Sequence, residues 1–124
     1  MIIKSGIKIS LKVINYIKQA SIESYPREAC GLLFGSSGLI LKTIISPNLS
    51  KQPNRFEIDP SLRLKSEREL RKKNIYLIGH FHSHPNGCPT PSSIDTNNIF
   101  EPDLIWLIIS INSYQCGKLT AWKA

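Results

Sequence analysis

Hydrophobic positions along the chain change period several times, and each change predicts an element. A short strand is expected at 6–9. Ser10 then suits an N-cap, and Leu11, Ile14, Ile17 and Ala20 recur at the spacing of one helical face until Pro26 closes the segment. Two apolar runs, 29–34 and 39–45, flank Gly35-Ser36-Ser37-Gly38 and read as an antiparallel hairpin with a four-residue turn. Pro47, Asn48, Pro53 and Asn54 make 46–54 an exposed loop, followed by a short extended piece at 56–59.

Pro60 suits a first helical turn, and the charged run through Arg71 reads as an amphipathic helix that turns Leu62 and Leu70 inward. A strand at 75–84 ends at Pro85. A loop of 86–91 follows, and Ser92 can cap a short helix. Runs at 104–111 and 119–122 supply two more strands. Strands and helices alternate without regular βαβ units, so the expected class is α+β, a mixed and largely antiparallel sheet flanked by helices.

At 124 residues the chain has room for one domain and one economical core, with no repeat or linker. Sixteen Lys and Arg against nine Asp and Glu give 16 − 9 = +7, which favours acidic partners. The densest basic stretch, 63–73, is interrupted by Glu67 and Glu69 and lacks interleaved aromatic residues. No nucleic-acid partner is therefore expected. That stretch is either a solvated helix face or a patch for an acidic partner. Cys30, Cys88 and Cys116 are an odd set without paired spacing: Cys30 is expected in the core and Cys116 in a turn near Gly117. Lys4, Lys8 and Lys12 break up any signal-peptide core, and the apolar run at 104–109 is far short of a bilayer span. A cytoplasmic protein with no membrane partner is expected.

All three histidines, His80, His82 and His84, alternate with Phe81 and Ser83, so in a strand their imidazoles share one face. Neighbours two apart lie about 6.6 Å from each other and the outer pair about 13 Å, so one metal can take His80 with His82 or His82 with His84. Asp95 is the nearest downstream carboxylate. Two imidazoles and a carboxylate suit zinc with one position left for water, and the same set also fits a non-haem iron oxygenase. Cys88 is an alternative ligand that would close the site. The bland reading is a surface stripe of histidines.

The string Gly79-His80-Phe81-His82-Ser83-His84-Pro85, followed after 86–91 by Ser92-Ser93-Ile94-Asp95, closely resembles the JAMM (MPN-plus) metalloprotease signature. Pro26 to Gly35 resembles the family's segment with the catalytic glutamate, and Asn48 to Pro60 is similar to the linking region of small prokaryotic members. The resemblance implies an MPN fold with cytidine-deaminase-like layering, one zinc per chain held by His82, His84 and Asp95, Glu28 as general acid and base, and Ser92 stabilising the oxyanion. It implies a second-shell or packing role for His80. The implied activity is hydrolysis of peptide or isopeptide bonds at the C-terminus of a ubiquitin-like or sulfur-carrier protein. A non-catalytic scaffold of the same fold is the alternative from another class.

Overall fold

The computed structural model describes residues 1–112 and 115–124. Along the chain lie β1 (Ile2–Ile3), β2 (Lys8–Ile9), α1 (Leu11–Ser24), β3 (Cys30–Ser36), β4 (Leu39–Ser46), α2 (Pro60–Arg71), β5 (Tyr76–His84), α3 (Ser93–Asn97), β6 (Ile105–Asn112) and β7 (Gln115–Lys123). The described strands form one sheet in the order β1-β7-β6-β5-β3-β4-β2. β5 and β6 run parallel, as do β2 and β4; the other neighbours are antiparallel. The expected α+β class with a mixed, largely antiparallel sheet is the observed one, and its central strands β3, β5 and β6 are the most buried.

Each helix covers one face of that sheet. On the α1 side, Val13, Ile17 and Ala20 pack with Leu33, Phe81 and Leu107 in the larger core cluster. On the other side Leu70 of α2 joins Leu32 and Phe34. Because Phe81 belongs to the α1 side, strand alternation turns His80, His82 and His84 toward the α2 side. The sheet is thus packed on both faces, with the three histidines on the α2 side.

Several expected details shift. Ser10 caps α1 by accepting the Val13 N–H at 3.2 Å, yet Leu11 is exposed and Val13 is buried in its place. At 100° per residue Val13 lies about 40° from Ile17 and Leu11 about 120° away, so the buried stripe is Val13, Ile17, Ala20 and Ser21. Leu62 is half-buried, and Ser66 shares the inner face with Leu70. The hairpin turn is tighter than expected: Ser36 pairs with Leu39, leaving Ser37 (φ 46°) and Gly38 (φ 79°) as a two-residue connection with both angles positive.

Cys116 lies in β7 opposite Ile111 and not in a turn. The strand continues past Gly117, paired with β6 on both sides, and a side chain there would meet Ser110 Oγ at 2.3 Å, so glycine here serves a close strand approach. The expected strand at 6–9 is reduced to β2, and β1 is an edge strand that the hydrophobic pattern did not reveal. No described helix is long and apolar enough to cross a membrane.

Candidate active site

The site forms where β5 ends. Flanked by β3 and β6, this strand buries His82 completely and His84 nearly so. His82 Nε2 lies 2.9 Å from His84 Nε2 and 3.1 Å from Asp95 Oδ2, and His84 Nε2 lies 2.9 Å from the same oxygen. Of the two histidine pairs left open by spacing, the structure joins the second to Asp95. His80 is not part of this group. Its ring meets Trp106 edge-on with centroids 4.5 Å apart and is tilted toward Phe56. Burial and the neighbouring His82 push its pKa down to about 3, which keeps the ring neutral beside Trp106 and Phe56.

Asp95 arrives through the loop after β5. Gly87, with φ 78°, turns the chain, and the Cys88 carbonyl lies 2.8 Å from His84 Nδ1. That contact makes Nδ1 the donor and leaves the Nε2 lone pair free, as metal-binding imidazoles require. The thiol of Cys88 is exposed and lies 3.0 Å from Thr90 Oγ1. It is therefore the backbone of Cys88 that serves the site; the thiol is outside the donor group. Ser92 caps α3 reciprocally: its Oγ accepts the Asp95 N–H at 3.0 Å, and its own N–H donates to Asp95 Oδ2 at 2.9 Å.

The donor set fits a metal. With His84 in that tautomer, its Nε2 and the Asp95 carboxylate are both acceptors at hydrogen-bond distance, an arrangement that calls for a cation between them. Four ligands about 2.0–2.2 Å from zinc stand roughly 3.3–3.6 Å from one another, so the trio need open by only a few tenths of an ångström. Burial raises the Asp95 carboxyl, but the two imidazoles and the Ser92 amide outweigh it and hold the group ionised. His82 is depressed by burial. His84 is buried too, but Asp95 and the Cys88 carbonyl raise it overall.

Glu28 is buried, and its Oε1 has no hydrogen-bond partner. Burial lifts its pKa to about 7; His84 opposes the rise and Asp95 adds to it. Its backbone is held on both sides. Ala29 N donates to Ser83 Oγ at 2.8 Å and Ser83 N donates to Ala29 O at 3.0 Å, while Asn48 Nδ2 donates to Glu28 O at 3.0 Å. Glu28, His84, Ser92 and Asn54 line one cavity of about 430 Å³. A second, of about 440 Å³, is lined by Phe56, His80, Asp95 and Trp106. The trio's residues thus contribute to both cavities.

Three contributors were not singled out by sequence. Asn48 uses its full amide, donating also to Arg55 O and accepting from Ser50 N and Glu57 N, so it clips the 49–57 loop to the backbone of Glu28. Phe56, in that loop, stacks on His82 at 4.3 Å and 15°. Ser83 looks in the sequence like a spacer between two histidines. The only available signal was an Asn-Pro-rich loop followed by an isolated aromatic residue. Cys30 is no rival nucleophile, since burial and Glu28 push its thiol up to about 12 despite the hydrogen bond with Ser46.

Comparison with known proteins identifies the family and the fold. Residues 11–124 match the family described as prokaryotic homologs of the JAB domain. A desampylase of Pyrococcus furiosus is 35% identical over 101 residues, covering 82% of this chain and 69% of the relative. A CysO-cysteine peptidase of Mycobacterium tuberculosis is 25% identical over 117 residues, covering 93% and 80%. The crystal structure of a JAB1/MPN domain protein from Archaeoglobus fulgidus superposes with a TM-score of 0.66 at 20% identity, covering 94% of this chain and 89% of that one. With the family matched over nearly its whole length, the chain belongs to the prokaryotic homologs of the JAB domain, as a small JAMM-type hydrolase of peptide or isopeptide bonds.

Proposed function

We propose that the chain is a zinc-dependent peptidase or isopeptidase that cuts at the C-terminus of a ubiquitin-like or sulfur-carrier protein, with His82, His84 and Asp95 holding one zinc ion. The observation that carries this reading is the unpartnered Oε1 of buried Glu28, whose residue lines one cavity with His84 and Ser92. Bound by these three ligands, zinc supplies a Lewis acid and brings the pKa of water toward 7.

The protein's own groups do the rest. Glu28 takes the proton released by the attacking water at its free carboxylate oxygen and returns it to the departing amine nitrogen as the C–N bond breaks. Ser92 Oγ already accepts the Asp95 N–H, so its hydroxyl hydrogen is free to be donated to the carbonyl oxygen as charge grows there. Asn48 and Ser83 fix the backbone that carries Glu28. Phe56 covers one face of the His82 ring and excludes water from it.

The substrate class rests on similarity to a desampylase and a CysO-cysteine peptidase. Purified protein loaded with zinc, incubated with ubiquitin-like carriers bearing C-terminal extensions and followed by mass spectrometry, should release the extension. Glu28→Gln should keep the metal and lose turnover. A Glu28→Gln enzyme that cuts at the wild-type rate overturns the assignment of the base.

A further inference from the structure

Helix α2 concentrates the molecule's charge. Six of the sixteen Lys and Arg residues lie in 60–73, against Glu67 and Glu69, so 6 − 2 = +4 of the net +7 resides there. At 100° per residue, Leu64, Lys65, Arg68, Arg71 and Lys72 fall within an arc of about 120° opposite the buried Ser66 and Leu70. The two glutamates fall outside that arc, one on each flank. All five residues of the arc are exposed, and Leu64 is 59% accessible. Among the described residues, none of its four cations has a carboxylate within ion-pair distance.

Helix α2 lies on the sheet face that carries the histidines, and Arg63, on its inner flank beside Leu70, lines the cavity that also contains Asp95 and is held there by a bidentate pair with Glu101. From Arg63 to Lys72 the helix extends about 14 Å, the scale of a contact with a small folded domain. An extended tail covers about 3.3 Å per residue, so a tail of four to six residues reaches roughly 13–20 Å from a body seated on α2.

We propose that the outer face of α2 is the docking surface for the folded body of the substrate carrier, and that this body carries an acidic patch beside its C-terminal tail. The inference rests on the carrier substrate proposed above. Four unpaired cations around one exposed leucine suit a protein surface with carboxylates ringing an apolar spot. Nucleic acid is the weaker fit, because the face offers no aromatic ring for a base to stack on.

The test uses the full-length, zinc-loaded protein and three probes: a labelled acidic ubiquitin-fold domain with a flexible tail ending in Gly-Gly, the same domain with its surface Asp and Glu changed to Asn and Gln, and a 20-nucleotide RNA. By fluorescence anisotropy at low salt, the acidic domain should bind about tenfold more tightly than its neutralised form, and the difference should vanish at about 0.5 M NaCl. Lys65→Glu/Arg68→Glu/Lys72→Glu, its fold checked by circular dichroism, should lose the preference, while Lys65→Arg/Lys72→Arg should keep it. Equal binding of the two domains, a preference that survives charge reversal, or displacement of the acidic domain by equimolar RNA overturns the proposal. Cleavage of a tail peptide lacking the body is measured separately. Failure there counts against the catalytic assignment and leaves the binding result to stand or fall on its own.

Discussion

At the scale of single residues, Glu28 shows how burial lifts an ordinary carboxylate toward neutral pH, as the proposed role of base requires. Its pKa is raised from 4.5 to about 7, so the metal-free fold binds a proton more tightly than the unfolded chain does. The stability this gives is fully present below pH 4.5 and lost as pH rises through 7. The loss amounts to about 3 kcal/mol at most. Urea titrations of metal-free wild type and Glu28→Gln should therefore agree near pH 4.5 and diverge by pH 8, with the variant more stable. Curves that stay parallel across that range would show that Glu28 is not buried as described.

Asn48 and Ser92 act through hydrogen bonds, and their truncation should separate structure from chemistry. Asn48→Ala removes the clip between the 49–57 loop and Glu28. It should lower kcat about tenfold or more through misplacement of the base, with zinc content unchanged. Ser92→Ala removes a helix cap worth about 1 kcal/mol and, with it, the proposed donor to the developing oxyanion, a role worth about 10²–10³ in kcat. Ser92→Thr should recover most of both. A Ser92→Ala enzyme with full kcat and reduced stability would reduce the residue to a cap.

At the scale of elements, β5 is two-faced. Phe81 points into the α1 core while the flanking histidines face the site. Phe81→Ala should cost about 3–5 kcal/mol in thermal or chemical unfolding. His80→Ala, on the other face, should be milder and leave metal binding intact. The period-2 alternation made this strand and its histidine face legible in the sequence, and Ser10, Pro60 and Ser92 announced the starts of three helices; the Asp59 cap of α2 was not foreseen. Leu11 misled because helical spacing alone does not say which of two overlapping stripes meets the sheet. Cys116 misled because Gly117 signals a turn locally but a close strand approach in three dimensions. Asn48 and Phe56 were not legible as site residues, since their partners Glu28 and His82 are many positions away and only the folded loop brings them together.

At the scale of the whole molecule, the larger core cluster lies on the α1 side of the sheet, and the His82, His84 and Asp95 group shares the other side with the smaller cluster under α2. The trio's donors come from β5 and from the first turn of α3, so binding a metal ties together elements that are otherwise joined by a loop. Zinc at about a hundredfold excess over its Kd should add about 2.7 kcal/mol of stability, seen as a Tm rise of about 10 °C that chelation reverses. Asp95→Ala should show no such response.

The metal site proposed for this fold uses His82, His84 and Asp95 and leaves out His80. Zinc per chain, measured by elemental analysis after dialysis on wild type, His80→Ala and His84→Ala side by side, decides between the two histidine pairs. Wild type and His80→Ala should hold close to one zinc and His84→Ala none; zinc retained by His84→Ala and lost from His80→Ala would overturn the assignment.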